Sequence, residues 1–413
     1  VLLKFVGSSC PASAAEAAAF VPQRPYVVTF TFQGGFTFQA NLMLKEQLDV
    51  FNDGGFDGWG VMYVRGTHLE RGKTIEDLTA ELAFLKANLR PGKHIWPMLF
   101  ITRILQFVPG QVHSAWGVRS LPAQEGIPGM DLENETGGRD VFEHNWRNAL
   151  LIAKELGTPG IMFDAEYYFG GFDDIAELAQ RRGEDEVTAV AKCEAFGARL
   201  ADITEDAYPG AVVFWFYTDM HEPVQEWDPV PYICLGALKR AKQIGSSQLH
   251  VDGAESGVGY LHRSVQALET RIHNRWIETR AFLQQYPNFE LGGVLAPYVD
   301  VKGRVPWMSF DLIGKEQTVA DFQPHFEALF RNYRFTWLYG THDQGRTGFN
   351  PWAPKYAEPM AVPLRLARQN AQYAPPDLAA LPAEKLSEGH RLDCESLKRE
   401  VWMDLGNLGD AYR

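Results

Sequence analysis

Eight short apolar runs alternate with longer amphipathic stretches along the chain, and this alternation predicts an α/β fold, a single (β/α)₈ TIM barrel. Two further observations favour the barrel. Turn signals such as Arg90-Pro91-Gly92 precede the runs, and no Gly-x-Gly-x-x-Gly follows the first run, as it would in a dinucleotide-binding sheet. We expect enlarged βα loops after strands three, four and five, and a C-terminal tail packed on the outside of the barrel.

Each run has the length of a buried parallel strand, and the stretches between the runs carry apolar residues at helical spacing. The predicted strands are, in order, Tyr26–Gln33, Trp59–Arg65, His94–Thr102, Gly160–Glu166, Ala211–Asp219, Gln248–Asp252, Leu291–Asp300 and Phe335–Gly340. The predicted helices include Ile75–Leu89, Phe142–Leu156, Glu186–Glu205, Val265–Gln285 and Val319–Tyr333. These elements divide the chain into an Ala-rich N-terminal segment (1–25), the barrel (26–353) and a C-terminal extension (354–413).

The composition is typical of a soluble globular protein with a large core, because 46% of the 413 residues are hydrophobic and 22% are charged. The formal net charge of −13 and the scattered Lys and Arg residues argue against a nucleic-acid partner. We expect no membrane span, since no apolar run reaches the length that one needs. The stretch Ala12–Ala19 fits either a processed export signal or an N-terminal helix, so we expect a secreted or periplasmic protein, with a cytoplasmic location still open. The oligomeric state does not follow from the sequence.

The cysteine and histidine patterns predict neither a disulfide framework nor a metal centre. The chain has four widely spaced cysteines: Cys10, Cys193, Cys234 and Cys394. We expect buried free thiols, because the spacing is not that of a zinc site. His250 lies near Asp252, and His342 near Asp343, but no His-x-His occurs on the first strand. We therefore expect no cofactor and no catalytic metal.

Side-chain parity predicts a site at the carboxyl-terminal end of the barrel, which we call the mouth. On strand four, Ile161 and Phe163 share one face while Asp164 and Glu166 share the other. Because positions that face the helices should be apolar, the two carboxylates should point inward. The same alternation predicts that further polar and aromatic side chains line the mouth: Tyr63, Arg65, Arg103, Trp215, Tyr217, Asp219, His250, Asp252, Tyr298, Asp300, Trp337 and Tyr339.

The pair of Asp164 and Glu166 has the chemistry of a glycosidase. Two carboxylates on one face of a strand lie about 6–7 Å apart at Cα and cannot both ionise freely in a half-dry mouth. The pKa of one of them should rise, as a general acid at neutral pH requires. Tyr167 and Tyr168 follow directly, and the chain holds 11 Trp residues, so aromatic rings are available to stack on sugars.

The segment Phe163-Asp164-Ala165-Glu166-Tyr167 resembles the last part of the chitinase-like motif of glycoside hydrolase family 18, an Asp-x-Glu-Tyr on strand four of a TIM barrel. The resemblance implies that Glu166 is the proton donor and that Asp164 orients the N-acetyl group of the substrate, which acts as nucleophile. It also implies that Trp337 forms the floor of the sugar site and that Tyr217 takes the place of a buried Tyr of the family.

The sequence departs from that family at Ile161 and Met162, where the family has acidic residues, and Tyr217 lies on strand five instead of strand six. A mechanism with a protein carboxylate therefore stays open, in which Glu166 is the acid and Asp252 or Glu255 is the nucleophile or base. Asp219 and Asp300 are further candidates for that second carboxylate. Arg65 and Arg103 are candidates either to bind an acidic sugar or to pair with the acids of the mouth.

These observations predict a glycoside hydrolase that cleaves a glycosidic bond in an oligo- or polysaccharide, with retention of configuration, Glu166 as general acid and Asp164 as its partner. Two alternatives are a non-catalytic carbohydrate-binding barrel and a metal-dependent hydrolase. The sugar, the linkage and the choice between exo and endo action are left open.

Overall fold

A computed structural model of the chain describes residues 20–35, 41–66, 71–101, 138–164, 175–216, 218, 220, 229–253, 265–295, 319–339 and 354–382. The strands are β1 (Tyr26–Gly35), β2 (Gly58–Gly66), β3 (His94–Ile101), β4 (Gly160–Asp164), β5 (Val212–Trp215), β6 (Leu249–Asp252), β7 (Phe289–Leu291), β8 (Gly293–Leu295) and β9 (Phe335–Tyr339). The helices are α1 (Asn41–Asp53), α2 (Thr79–Asn88), α3 (Arg139–Glu155), α4 (Ile175–Arg182), α5 (Glu186–Ala207), α6 (Pro229–Ile244), α7 (Val265–Gln285), α8 (Gln323–Asn332) and α9 (Pro354–Asn370), and a 3-10 turn at Val319–Phe322 precedes α8.

All the strand pairs are parallel, and the sheet has the order β7-β6-β5-β4-β3-β2-β1-β9-β8. Its two ends, β7 and β8, are consecutive in the chain and are separated only by Gly292. Strand β7 pairs with β6, and β8 pairs with β9, so the two short segments together take the place of one barrel strand. The predicted TIM barrel is therefore confirmed, with its seventh strand divided in two.

The seventh strand starts at Phe289, two residues before the predicted start at Leu291. The pairing of Phe289 with His250 extends the strand backwards, and Gly292 interrupts it. A Cβ atom at Gly292 would lie 3.1 Å from the carbonyl oxygen of Asp252, which explains why this break in the strand has no side chain. Residues 296–300 of the predicted strand lie outside the described residues.

Helix α5 begins where it was predicted to begin, and its first turn gives the reason. The side chain of Asp185 accepts a hydrogen bond from the backbone N–H of Thr188 at 2.7 Å, the geometry of an N-cap. Cys193 on α5 and Cys234 on α6 are buried and form no disulfide with each other, which agrees with the expectation from the sequence. Cys10 and Cys394 lie outside the described residues.

Aromatic rings fill the amino-terminal end of the barrel. The ring of Tyr26 lies 6.0 Å from Trp96 and 6.0 Å from Phe335, centroid to centroid. The Tyr26 hydroxyl accepts a hydrogen bond from the indole N–H of Trp96 at 3.0 Å and lies 2.7 Å from Nδ1 of His94. Phe20 covers Tyr26 from outside at 5.6 Å. With this end packed, the mouth at the other end is the place for a site.

Helix α9 packs against α1 and α8 and so completes the ring of helices around the sheet. Arg368 of α9 pairs with the buried carboxylate of Asp57, which also accepts the N–H of Val27 at 2.8 Å. The segment after α9 then crosses the outside of the barrel, where Ala374 N–H bonds the carbonyl of Arg331 at 2.8 Å. This described part of the C-terminal region packs on the outside, as predicted. None of the described helices is long and apolar enough to span a membrane.

Candidate active site

Asp164 is the last residue of β4 and is buried, with 1% of its surface exposed. Its neighbour Phe163 packs against two rings of α3, Phe142 at 5.6 Å and Trp146 at 5.6 Å. Since side chains alternate along a strand, the contact of Phe163 with the helices places Asp164 on the opposite, inner face of the barrel. The strand thus presents a buried carboxylate to the mouth.

Two aromatic rings share the inner face of the barrel with Asp164. The backbone N–H of Phe216 bonds the carbonyl of Phe163 at 2.9 Å, so Phe216 is the neighbour of Asp164 across the sheet. The ring of Phe216 meets that of Trp337 edge-on, with centroids 4.4 Å apart. The indole N–H of Trp337 donates to the carbonyl of Gly253 at 2.9 Å. We call the set Asp164, Phe216 and Trp337 the inner cluster.

Sequence reasoning missed Phe216 because it assigned the wrong parity to strand five. The prediction that Trp215 lines the mouth is wrong: its ring lies 5.7 Å from Trp146 and 5.4 Å from Phe163, on the side of the helices. Trp215 is paired in register with Phe163, and partners in register share a face. Every residue from Val212 to Phe216 is apolar, so no polar alternation was available to set the parity.

The side chains of strand six follow the alternation of strand five, with which it is paired. The prediction that His250 and Asp252 line the mouth is therefore also wrong. His250 pairs with Val213 and Asp252 with Trp215, so both face the helices. Nδ1 of His250 accepts the indole N–H of Trp215 at 3.1 Å. Asp252 forms a buried ion pair with Arg275 of α7.

Tyr63 does not line the mouth either. Its hydroxyl donates to the carbonyl of Lys73 at 2.5 Å, and its ring occupies the space beside Gly72, where a Cβ atom would lie 2.5 Å from the ring. Burial raises the pKa of the Tyr63 hydroxyl, with a smaller contribution from Asp77. The side chain holds the segment after β2 against the barrel, and a β-bulge between Met62 and Val64 shifts the register there.

The backbones of Arg65 and Tyr339 lie in β2 and β9, paired with Phe100 and Phe30. Nine predicted site residues lie outside the described residues, and their assignment stays a prediction: Arg103, Glu166, Tyr167, Tyr168, Tyr217, Asp219, Glu255, Tyr298 and Asp300. Within the described part of the chain, no three His, Cys, Asp or Glu residues are grouped so that they could hold a metal ion.

His250 provides a test of the corrected parity. Burial lowers the pKa of His250 from 6.5 to about 3, so its imidazole is neutral in the folded protein above that pH. Between pH 6.5 and 3 only the unfolded chain takes up this proton, and the free energy of unfolding falls as the pH falls. We expect His250→Gln, whose amide oxygen can still accept from Trp215, to lack this dependence.

The measurement is urea unfolding of the native chain and of His250→Gln at pH 7 and pH 5. The difference in the free energy of unfolding between the two proteins should change by about 2 kcal/mol over this interval, with the native chain losing more. If the two proteins lose stability in parallel, His250 is solvated and does not face the helices.

The nearly closed parallel sheet, its ring of helices and the buried carboxylate at the carboxyl ends of the strands define the chain as a (β/α)₈-barrel protein with a candidate site at the mouth. No protein-family model matches the chain, and no curated protein matches it in sequence.

Solved structures similar to this chain include glycoside hydrolases and sugar epimerases. The GH20 catalytic modules of the pneumococcal exo-β-D-N-acetylglucosaminidase StrH share 10% identity over 92% of this chain and 97% of that chain, with a TM-score of 0.44. A GH113 β-1,4-mannanase shares 12% identity over 85% and 99%, with a TM-score of 0.42. D-Psicose 3-epimerase from Clostridium cellulolyticum H10 shares 10% over 84% and 100%, with a TM-score of 0.40. Likeness at this level assigns no activity to the chain.

Proposed function

We propose that the protein is a glycoside hydrolase that cleaves a glycosidic bond of an oligo- or polysaccharide at the mouth of the barrel. The observation that carries the proposal is the inner cluster, in which the buried carboxylate of Asp164 lies on the same face as the Phe216 and Trp337 rings. A carboxylate and aromatic rings on the same inner face suit a sugar, whose hydroxyls need acceptors and whose C–H faces need apolar surfaces.

In this proposal Glu166 is the general acid. It follows Asp164 by two residues, and a strand that continues in the same conformation presents both on one face. Glu166 donates its proton to the glycosidic oxygen as the bond from that oxygen to the anomeric carbon breaks. A nucleophile forms a bond to the anomeric carbon in the same step, and Glu166 then takes a proton from the water that displaces this nucleophile, so the carboxyl group is regenerated.

Asp164 is the orienting and charge-stabilising partner in this proposal. The chitinase-like Asp-x-Glu-Tyr pattern supports a role for Asp164 beside a substrate N-acetyl group. Its burial supports the same role, because a carboxylate in a water-poor site acts strongly on charge that develops at the anomeric carbon.

Asp252 ends strand six and Glu255 follows it, and both were candidates for the nucleophile. Because Asp252 is paired with Arg275, it is unsuited to attack a sugar at the mouth. The remaining candidates for the nucleophile are the N-acetyl group of the substrate and the carboxylates of Glu255, Asp219 and Asp300. A reaction through any one of these retains the anomeric configuration.

The test is a screen of the native chain on oligo- and polysaccharides with and without N-acetyl groups, followed by proton NMR of the first product. We expect at least one substrate to be cleaved, and the product to appear with the configuration of the substrate before mutarotation. Cleavage with inversion would contradict the retaining mechanism, and binding without cleavage across the panel would indicate a non-catalytic carbohydrate-binding barrel.

A further inference from the structure

Three parts of the barrel are joined to the end of β6 by two consecutive residues, Asp252 and Gly253. The side-chain carboxylate of Asp252 accepts the backbone N–H of Met220 at 3.2 Å, and the backbone carbonyl of Asp252 accepts the N–H of Gly292 at 2.7 Å. The N–H of Gly253 bonds the carbonyl of Trp215 at 2.6 Å. Residues from β5, from the segment after β5 and from the break in the seventh strand therefore meet here.

The carboxylate in this cluster is fixed by a buried cation. Nη2 of Arg275, on α7, pairs with Oδ2 of Asp252, the same oxygen that accepts from Met220. The side chain of Arg275 is 2% exposed and that of Asp252 is 0% exposed. Arg275 also lies 3.8 Å from Glu278 on its own helix. Burying two charges is costly unless their geometry is well satisfied, so this pair holds the carboxylate in one position.

Asp252 and Gly253 connect the helix side of the sheet with the mouth of the barrel. The N–H of Met220, which follows β5 in the chain, is held by the carboxylate of Asp252 at the carboxyl-terminal end of β6. The carbonyl of Gly253, next to Asp252, accepts the indole N–H of Trp337 in the inner cluster. Asp252 thus bonds Met220 directly and is covalently adjacent to the acceptor of Trp337, while its own side chain faces the helices.

We propose that Asp252, held by Arg275, is a positioning residue that fixes the backbone N–H of Met220 after β5 and, through the carbonyl of the adjacent Gly253, the indole of Trp337 at the mouth. This role rests on the proposed glycosidase function where it concerns turnover. Where it concerns the anchoring of Met220, it stands independently of that function.

The chain contains a matched control for this carboxylate at the opposite end of the barrel. Asp57 is also buried, also accepts one backbone N–H, that of Val27 at 2.8 Å, and also pairs with arginine, in this case both Arg368 and Arg24. It lies just before β2, at the amino-terminal end. Loss of either carboxylate should weaken the fold, but only Asp252 is placed to affect the mouth.

The experiment compares Asp252→Asn with Asp57→Asn, at a temperature where both variants are fully folded. Asp252→Leu/Arg275→Met is the second variant, because it removes both charges and leaves no buried cation unpaired. Peptide-resolved hydrogen exchange is measured on segments that contain Met220 and Val27. Values of kcat and KM are measured on the glycan that the native chain cleaves.

In the Leu/Met variant, we expect the segment with Met220 to exchange roughly 10- to 100-fold faster, with the Val27 segment unchanged. In both Asp252 variants we expect kcat to fall by about 10²-fold, with a smaller change in KM, whereas Asp57→Asn keeps the native kcat.

Unchanged exchange at Met220 in the Leu/Met variant would overturn the proposal, and so would equal values of kcat in Asp252→Asn and Asp57→Asn. If the native chain cleaves no glycan, the proposed function fails. The exchange measurement then still decides whether Asp252 anchors Met220.

Discussion

Glu166→Gln is expected to lower kcat/KM for hydrolysis of a natural glycan by about 10²- to 10⁴-fold, the range that a positioned general acid contributes. Gln has nearly the same shape as Glu but carries no proton that it can transfer to the leaving oxygen. Binding should persist, because the inner cluster of Asp164, Phe216 and Trp337 is untouched by the substitution. The measurement is kcat and KM on the glycan found in the screen, together with binding of that glycan by calorimetry.

A second substrate with a more acidic leaving group is the control for the role of Glu166 as general acid. An aryl glycoside whose phenol is strongly acidic needs little protonation as it departs, so Glu166→Gln should lose far less in cleaving the bond to the aryl group of that substrate. Asp164→Asn should be impaired on both substrates, because its proposed role concerns the anomeric carbon and not the leaving oxygen. A loss for Glu166→Gln that is equal on the two substrates would show that Glu166 is not the general acid.

Gly197→Ala is expected to lower the free energy of unfolding by about 3 kcal/mol, the upper part of the range for overpacking a core. Gly197 lies on α5 where that helix crosses α6, and a Cβ atom there would lie 1.8 Å from the carbonyl oxygen of Ile233. The contact is reciprocal, since a Cβ atom at Gly236 of α6 would lie 2.0 Å from the carbonyl oxygen of Glu194. Neither clash can be relieved by a side-chain rotation, because each one is with backbone.

Whether Gly197→Ala lowers or raises the free energy of unfolding shows whether packing against α6 or the higher helix propensity of Ala dominates at this position. In an exposed helix, replacing Gly with Ala stabilises by roughly 0.5–1 kcal/mol. Ala195, which is exposed on the same helix, serves as the control, and Ala195→Leu should change stability little. Urea unfolding measures both variants. A Gly197→Ala variant as stable as the native chain would show that α5 and α6 are further apart than described here.

The inward direction of Asp164 was predictable because strand four alternates a large apolar residue, Phe163, with a carboxylate. The directions of Trp215 and His250 were not, because strand five is apolar on both faces and strand six takes its parity from strand five. An apolar side chain is equally suited to the barrel interior and to the helix layer. Only the register between β4 and β5, in which Phe163 is paired with Trp215, decides that Trp215 faces the helices and not the barrel interior.

Helix α9 was predicted only as part of a Pro-rich extension, since Pro359 and Pro363 argue against a helix. A signal for the helix was nevertheless present in Met360, Leu364 and Ala367. These residues recur at helical spacing and are fully buried. Their burial against the neighbouring helices outweighs the cost of the prolines, which the sequence alone could not weigh.

By itself, the sequence determined the class of fold, because eight apolar runs separated by amphipathic stretches have few ways to bury their apolar faces other than a closed parallel barrel. It also determined that Asp164 faces inward, through its apolar neighbour. Tertiary structure alone decided that Asp252 pairs with Arg275 and that Phe216 meets Trp337 inside the barrel. Both contacts join residues far apart in the chain, and their direction depends on register between strands, which local residue patterns do not contain.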